Sequence, residues 1–101
     1  MPVVRSWAGV TTKENADAYL AHLRDETIPH LRSLSGFVAV EVLRRSAADG
    51  EHFRVHTTWV SMESICAFAG EDLDVAVVPP AAQVVLERYD PHVEHYEVVI
   101  R

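Results

Sequence analysis

From Val3 to Val10 the chain alternates, with Val3, Arg5, Trp7 and Gly9 on one parity and Val4, Ser6, Ala8 and Val10 on the other, the two-residue period of a β-strand. The period then lengthens. Thr11 or Thr12 offers an N-cap, and Thr11 with Glu14 matches a capping box. Ala16, Tyr19, Leu20, Leu23 and Thr27 form the inward stripe of a helix, with Lys13, Glu14, Asp17, Arg24 and Asp25 outside. Pro29 should end or kink this helix, and His30 to Ser35 is an irregular connection to Gly36. Phe37 to Arg45 is a second strand, apolar on both parities, with Phe37, Ala39 and Leu43 against Val38, Val40 and Val42. Asp49-Gly50 marks a hairpin, and His52 to Val60 returns as a third strand.

Ser61 caps a short second helix through Met62, Ile65, Cys66 and Phe68, with Gly70 at its C-terminal cap. Asp72 to Val78 adds a turn or two of helix before Pro79-Pro80, and Ala81 to Tyr89 is assigned to helix. His92 to Ile100 is the last strand, sending His95, Glu97 and Val99 one way and His92, Glu94, Tyr96, Val98 and Ile100 the other. The order is βαββαβ, an α+β, ferredoxin-like plan with a four-stranded antiparallel sheet. Two helices cover only one face of such a sheet, yet the second strand is apolar on both. A second copy packed sheet to sheet is the economical cover, so a homodimer through the open sheet face is expected.

Composition narrows the function classes. The 101 residues make one domain, 1–101, and no apolar run reaches the roughly 20 residues of a membrane span. Nine basic against fifteen acidic residues give a net charge of −6, the wrong sign for a phosphate backbone, so no nucleic-acid partner is expected. The opening MPVVRSWAGV lacks a signal peptide's continuous apolar segment, and the single cysteine, Cys66, fits a reducing compartment and a small core residue. The expected localisation is cytoplasmic.

The chemistry-bearing side chains are those the pattern sets on strands. Arg5 shares a face with Trp7, and Val55 and Thr57 share one with Trp59. Six histidines invite a metal reading that spacing removes. His52 and His56 lie about 13 Å apart on a strand, and His92 and His95 point to opposite faces. His22 and His30 flank a helix end and are read as solvated, so no metal site is expected. His95 remains as a neutral imidazole that could take a proton from an acidic phenol or an activated C–H.

These residues resemble a family, the dimeric α/β-barrel proteins that include the antibiotic biosynthesis monooxygenase group and the heme-degrading monooxygenases. The carriers are Arg5-Ser-Trp7-Ala-Gly9, the helix Glu14-Asn-Ala-Asp-Ala-Tyr19, and Trp59-Val-Ser61-Met-Glu-Ser-Ile65-Cys-Ala-Phe68. Phe68-Ala-Gly-Glu-Asp72, Val75-Ala-Val-Val-Pro-Pro80 and His95-Tyr96-Glu97 are similar to a bacterial monooxygenase-like subgroup. Carried over position by position, the asparagine and tyrosine of the cofactor-free oxygenases fall on Val55 and Ile65. The first-strand asparagine and the iron-ligand histidine of the heme enzymes fall on Trp7 and Ala69, and only Trp59 is retained.

The resemblance implies a pocket between sheet and helices and a cofactor-free, monooxygenase-like or isomerase-like enzyme acting on a small flat hydrophobic molecule. In this reading Trp7 and Trp59 hold the substrate, His95 is the base, and Arg5, His56 or Tyr19 stabilises an enolate-like anion. The competing reading is a non-catalytic dimeric module that binds a small ligand or plays a structural part, with the tryptophans and Tyr19 serving only as core.

Overall fold

The computed structural model describes residues 1–101. Its centre is β1 (Val3–Thr11), whose alternation gives it two buried faces and a partner on each side. β3 (Gly50–Trp59) runs antiparallel along one edge, from Val3 opposite Trp59 to Thr11 opposite Glu51. β2 (Phe37–Ala47) lies outside β3. On the other edge of β1 the final strand is divided into β4 (Arg88–Tyr89), beside Gly9 and Val10, and β5 (Glu94–Glu97), beside Val3 to Ser6. The sheet is the four-column antiparallel ferredoxin-like sheet expected, with its last column in two pieces.

The first helical layer is longer than Pro29 suggested. α1 (Ala16–His22) passes into a π-helical turn, Leu23–Thr27, and continues as α2 (Ile28–Arg32). Ile28 N–H bonds the carbonyl of Leu23, five residues back. Proline cannot donate to a helix, and its ring would meet the carbonyl four residues earlier, that of Asp25. The widened turn just ahead of Pro29 is how the helix carries it without stopping. The N-terminal cap is also displaced from Thr11, which is buried in β1. Thr12 Oγ1 accepts from Asn15 N–H at 3.2 Å instead.

Further on, propensity fails where tertiary pairing takes over. A 3₁₀ turn, Glu63–Ile65, and α3 (Cys66–Ala69) form the short second helix, with Gly70 at positive φ behind it and Cys66 exposed, not buried. Asp72 to Val78 is extended, not helical, pairing through Val75 with His92. α4 is limited to Pro80–Val85, because Arg88 and Tyr89 are drawn into the sheet. Val98 bonds Pro2, and Val99 and Ile100 are exposed beyond the strand.

Both core clusters lie on the helix side of the sheet. One packs Tyr19, Leu23 and Phe53 against Ala16, Ala82 and Leu86, and the other packs Val3, Leu31, Trp59 and Ile65. A register shift between Phe37 and Ala39 puts Phe37 on this side with Val40 and Val42, its ring 5.5 Å from Trp59, contrary to simple alternation. The open face therefore carries Ala39, Glu41 and Leu43 from β2 beside Arg54 and His56 from β3.

The β2–β3 hairpin depends on Gly50. Its φ is +133°, and a Cβ there would fall 2.3 Å from the carbonyl oxygen of Thr11, so both backbone conformation and space require glycine. Gly50→Ala should lower stability by about 1–3 kcal/mol, read as a lower midpoint of urea unfolding at unchanged slope. An unchanged midpoint would mean that the hairpin relaxes freely away from β1.

Candidate functional site

Where β1 and β3 pass beneath the helices, the inward parity of the strands lines a small cavity of about 60 Å³. Arg5 and Trp7 come from β1, Val55 and Thr57 from β3, Tyr19 and His22 from α1, and Val77 to Pro79 from the extended segment. Outside it, a groove of about 660 Å³ runs between α1–α2 and the 77–85 segment. Groove and cavity share His22, Thr27, Phe68, Val77 and Pro79, so the cavity is the inner end of the groove. Together they have the size and apolar lining of a site for a small organic molecule.

Arg5 is the buried cation of this site, 4 % exposed. Its Nη1 donates to the Leu73 carbonyl at 2.5 Å and its Nη2 to the Val75 carbonyl at 2.9 Å. Nη1 also lies 3.0 Å from Nε2 of His95. Because a guanidinium only donates, that imidazole nitrogen must be the acceptor, which places the ring proton on Nδ1. Three of the five guanidinium N–H groups are thus engaged, and two have no partner within the protein. The ring of Phe68 lies 5.9 Å from the guanidinium carbon.

His95 therefore lies on the helix side of the sheet, not on the open face, its Cα paired with that of Arg5. It borders Arg5 and not the cavity. Burial and the neighbouring Arg5 charge hold its pKa below the ordinary histidine value, opposed by Asp74, whose carboxylate is 3.7 Å from Nδ1. A nitrogen already occupied by Arg5, on an imidazole of lowered basicity, suits His95 to orienting the guanidinium more than to taking a proton.

Tyr19 lines the cavity, its ring 5.1 Å from Phe53 and 6.4 Å from Trp7. Burial pushes its pKa above the ordinary phenol value, so it is a hydrogen-bond donor and not a base. Trp7 forms a wall as expected, its Nε1–H donating to the Asp90 carbonyl at 2.9 Å. Trp59 does not. It is 0 % exposed, donates to Thr57 Oγ1 at 2.9 Å, and supports Phe68 from behind at 6.0 Å. His56 is opposite Ser6 on the open face, because its parity is the reverse of that of Val55 and Thr57. Of the six expected site residues, Arg5, Trp7 and Tyr19 are brought together, His95 supports them, and Trp59 and His56 lie elsewhere.

Two histidines read as solvated are in the site. His22 lines cavity and groove and His30 lines the groove, beside Asp25 and Glu26. The π turn has a direct consequence here, since residues five apart sit about 140° apart on a regular α-helix. In the widened turn Thr27 Oγ1 comes within 3.3 Å of His22 Nε2. The proline inside the helical pattern was the one signal that could have pointed to this.

A ferredoxin-like protein with an apolar cavity between sheet and helices is the class these features define. Residues 10–73 match the sequence profile of the antibiotic biosynthesis monooxygenase family, and the chain belongs to that family. No curated protein matches the chain. Among solved structures it is similar to a Bacillus cereus protein carrying the same family label, at 15% identity and a TM-score of 0.67, covering 100% of this chain and 94% of that one. It is also similar to a heme-degrading protein of Mycobacterium tuberculosis, at 23% identity and a TM-score of 0.60, covering 100% and 98%. SnoaB, a cofactor-independent oxygenase from Streptomyces nogalater, follows at 15% identity and a TM-score of 0.52, covering 99% and 92%.

The lowered pKa of His95 sets a sign for stability against pH. The unfolded chain takes up the proton near the ordinary value of 6.5 while the folded chain resists it. Stability from this group is complete above pH 6.5 and is lost as pH falls from there through the folded pKa. The carboxylates held low, Asp49 and Glu51, act only below the ordinary value of about 4.5, outside this window. The urea midpoint should therefore fall between pH 7 and pH 5. His95→Gln, which keeps an acceptor for Arg5, should flatten that fall, whereas His95→Leu should cost about 1–3 kcal/mol at pH 7 by orphaning a guanidinium donor. A His95→Gln protein with the same pH dependence as the parent would contradict the assignment.

Proposed function

We propose that the cavity and groove form the active site of a cofactor-independent monooxygenase-type enzyme acting on a small, flat, hydrophobic molecule with an ionisable C–H or phenolic O–H. The observation that carries this is Arg5, a buried guanidinium with two uncommitted donors at the inner end of an apolar groove. Such a cation lowers the cost of an enolate or phenolate formed beside it, and an anion of this kind can itself give electrons to dioxygen. For a ketone with an acidic methylene, one oxygen atom becomes the new carbonyl and the other leaves as water with the two methylene hydrogens. Trp7 would hold the ring system, and Tyr19 would donate to the same anion. Asp25 and Glu26 are the charged groups of the groove, so it favours a neutral or cationic ligand over a multiply anionic one.

That rim bears on heme, the molecule that the similar Mycobacterium tuberculosis protein is described as degrading. The position the resemblance gives to an iron-ligand histidine is Ala69, at the end of α3, and the groove is lined by the carboxylates Asp25 and Glu26, which would repel the propionates of a porphyrin. These residues do not fit heme. The second reading, a non-catalytic ligand-binding module, is favoured by Val55, which puts an apolar side chain in the cavity wall where the resemblance placed an asparagine.

Anthrone, a flat tricyclic ketone with an acidic methylene, separates the two. The enzyme reading expects dioxygen uptake with one anthraquinone formed per dioxygen consumed. Val77→Trp, at a position 42 % exposed on the groove wall, should lower that uptake at least about tenfold with thermal stability retained. Binding without uptake would leave the module reading, and neither binding nor uptake would sink both.

A homodimer through the open sheet face is part of the same proposal. Leu43, 46 % exposed, and Tyr96, 53 % exposed, lie on that face, where no element of this chain covers them. Light scattering should return twice the 11.3 kDa protomer, about 23 kDa. Leu43→Glu should shift the equilibrium toward monomer, and a parent protein that is monomeric at micromolar concentration would refute the interface.

A further inference from the structure

The proposed site still lacks a base, because His95 is turned away from the cavity and committed to Arg5. Of the five residues that border both cavity and groove, only His22 carries an imidazole. Its Nε2 is 3.3 Å from Thr27 Oγ1, and both side chains are half-buried where the groove narrows into the cavity. The contact exists only because the helix widens there, and π turns inside α-helices recur at functional sites. No other backbone feature of α1 or α2 is irregular, and this one coincides with the neck of the site.

We propose that His22 and Thr27 form the proton-accepting pair of the site, taking the proton of a phenolic or enolic ligand hydroxyl and passing it to the imidazole. This rests on the ligand-site reading given above and names its base. When the ligand presents a hydroxyl, that group donates to Thr27 Oγ1, and the Thr27 hydroxyl donates to His22 Nε2. Transfer breaks the ligand O–H bond and forms a new one at Thr27, while the threonine's original proton forms an N–H bond on His22. The products are a ligand oxyanion beside Arg5 and an imidazolium at His22, with charge conserved. A ketone enters the same route as its enol tautomer, whose O–H is the bond that breaks. The charged and titratable groups around the pair fit this outcome. Asp25 and Glu26 of the π turn and His30 of α2 flank the groove, Arg5 of β1 and Tyr19 of α1 border the cavity, and the 77–85 segment opposite contributes no charge. The carboxylates stabilise an imidazolium, and Arg5 stabilises the anion.

The test uses 7-hydroxycoumarin, a flat fused-ring phenol whose phenolate fluoresces at a separate excitation wavelength. Bound to the full-length protein, it should ionise at lower pH than in free solution. His22→Gln should raise the apparent pKa of the bound probe by about one unit, a tenfold loss of phenolate near neutrality, with affinity for the neutral phenol held within about twofold. Thr27→Val should do the same and Thr27→Ser should restore the parent behaviour, a rescue that depends on a hydroxyl and not on side-chain volume. His56→Gln, on the open face, serves as the control. Ionisation in His22→Gln equal to that of the parent, or a Thr27→Val effect that serine does not rescue, would overturn the assignment while leaving the ligand site standing. A parent protein that does not bind the probe would instead bring down the ligand-site reading and this assignment with it.

Discussion

The buried guanidinium of Arg5 is the constraint around which the rest of the site is arranged. A cation taken out of water at the centre of a sheet must be given acceptors, and the acceptors come from the chain's least regular region. The carbonyls of Leu73 and Val75 are presented by a segment that cannot be helical and still reach Arg5, and the third acceptor, His95, sits on β5. One side chain thus fixes the path of residues 72–78, the register of the last strand and the inner wall of the cavity. Burial lowers the Arg5 pKa from its usual value, with the charge of Asp74 acting in the opposite direction, but the group stays ionised at any physiological pH.

This arrangement explains which parts of the structure were legible in the sequence. Strand parity placed Arg5, Trp7, Val55 and Thr57 correctly, because alternation is a local property and both faces of β1 are buried. The same parity puts His56 on the far face, against its expected role beside the anion, and Trp59 shares the inward face without reaching the cavity because Phe68 stands in front of it. Alternation failed in β2, where the register shift after Phe37 turns that ring inward; no residue type there signals a bulge. Residues 72–78 and 86–89 depart from the expected helix for a different reason. Their local pattern allows helix, while their conformation is decided by acceptors owed to Arg5 and by an open edge on β1 that Arg88 and Tyr89 fill.

His22 and Thr27 show the same limit inside a helix. On a regular α-helix His22 borders the buried stripe and Thr27 continues it, and nothing brings their polar atoms together. The extra residue per turn shifts the phase of everything that follows. A proline inside a helix usually ends or kinks it, which is what the sequence leads one to expect of Pro29. The alternative, a helix that widens to carry the proline, costs hydrogen-bond quality over one turn and is supported by packing, since Leu23 and Leu31 are buried on either side of it.

The charge layout gives the site a direction. Asp25 and Glu26 stand at the mouth, His22 and Thr27 at the neck, and Arg5 at the inner end, so potential rises from negative to positive along the path a ligand takes. A neutral molecule entering this field gains most if it becomes an anion at the inner end and leaves its proton at the neck. That separation of charge is favourable only where each product meets its opposite, the imidazolium beside carboxylates and the oxyanion beside a guanidinium. A neutral His95 contributes by remaining neutral. An imidazolium in its place would repel Arg5 and remove one of its three acceptors, so the lowered basicity of His95 is the condition under which the guanidinium stays aimed at the cavity.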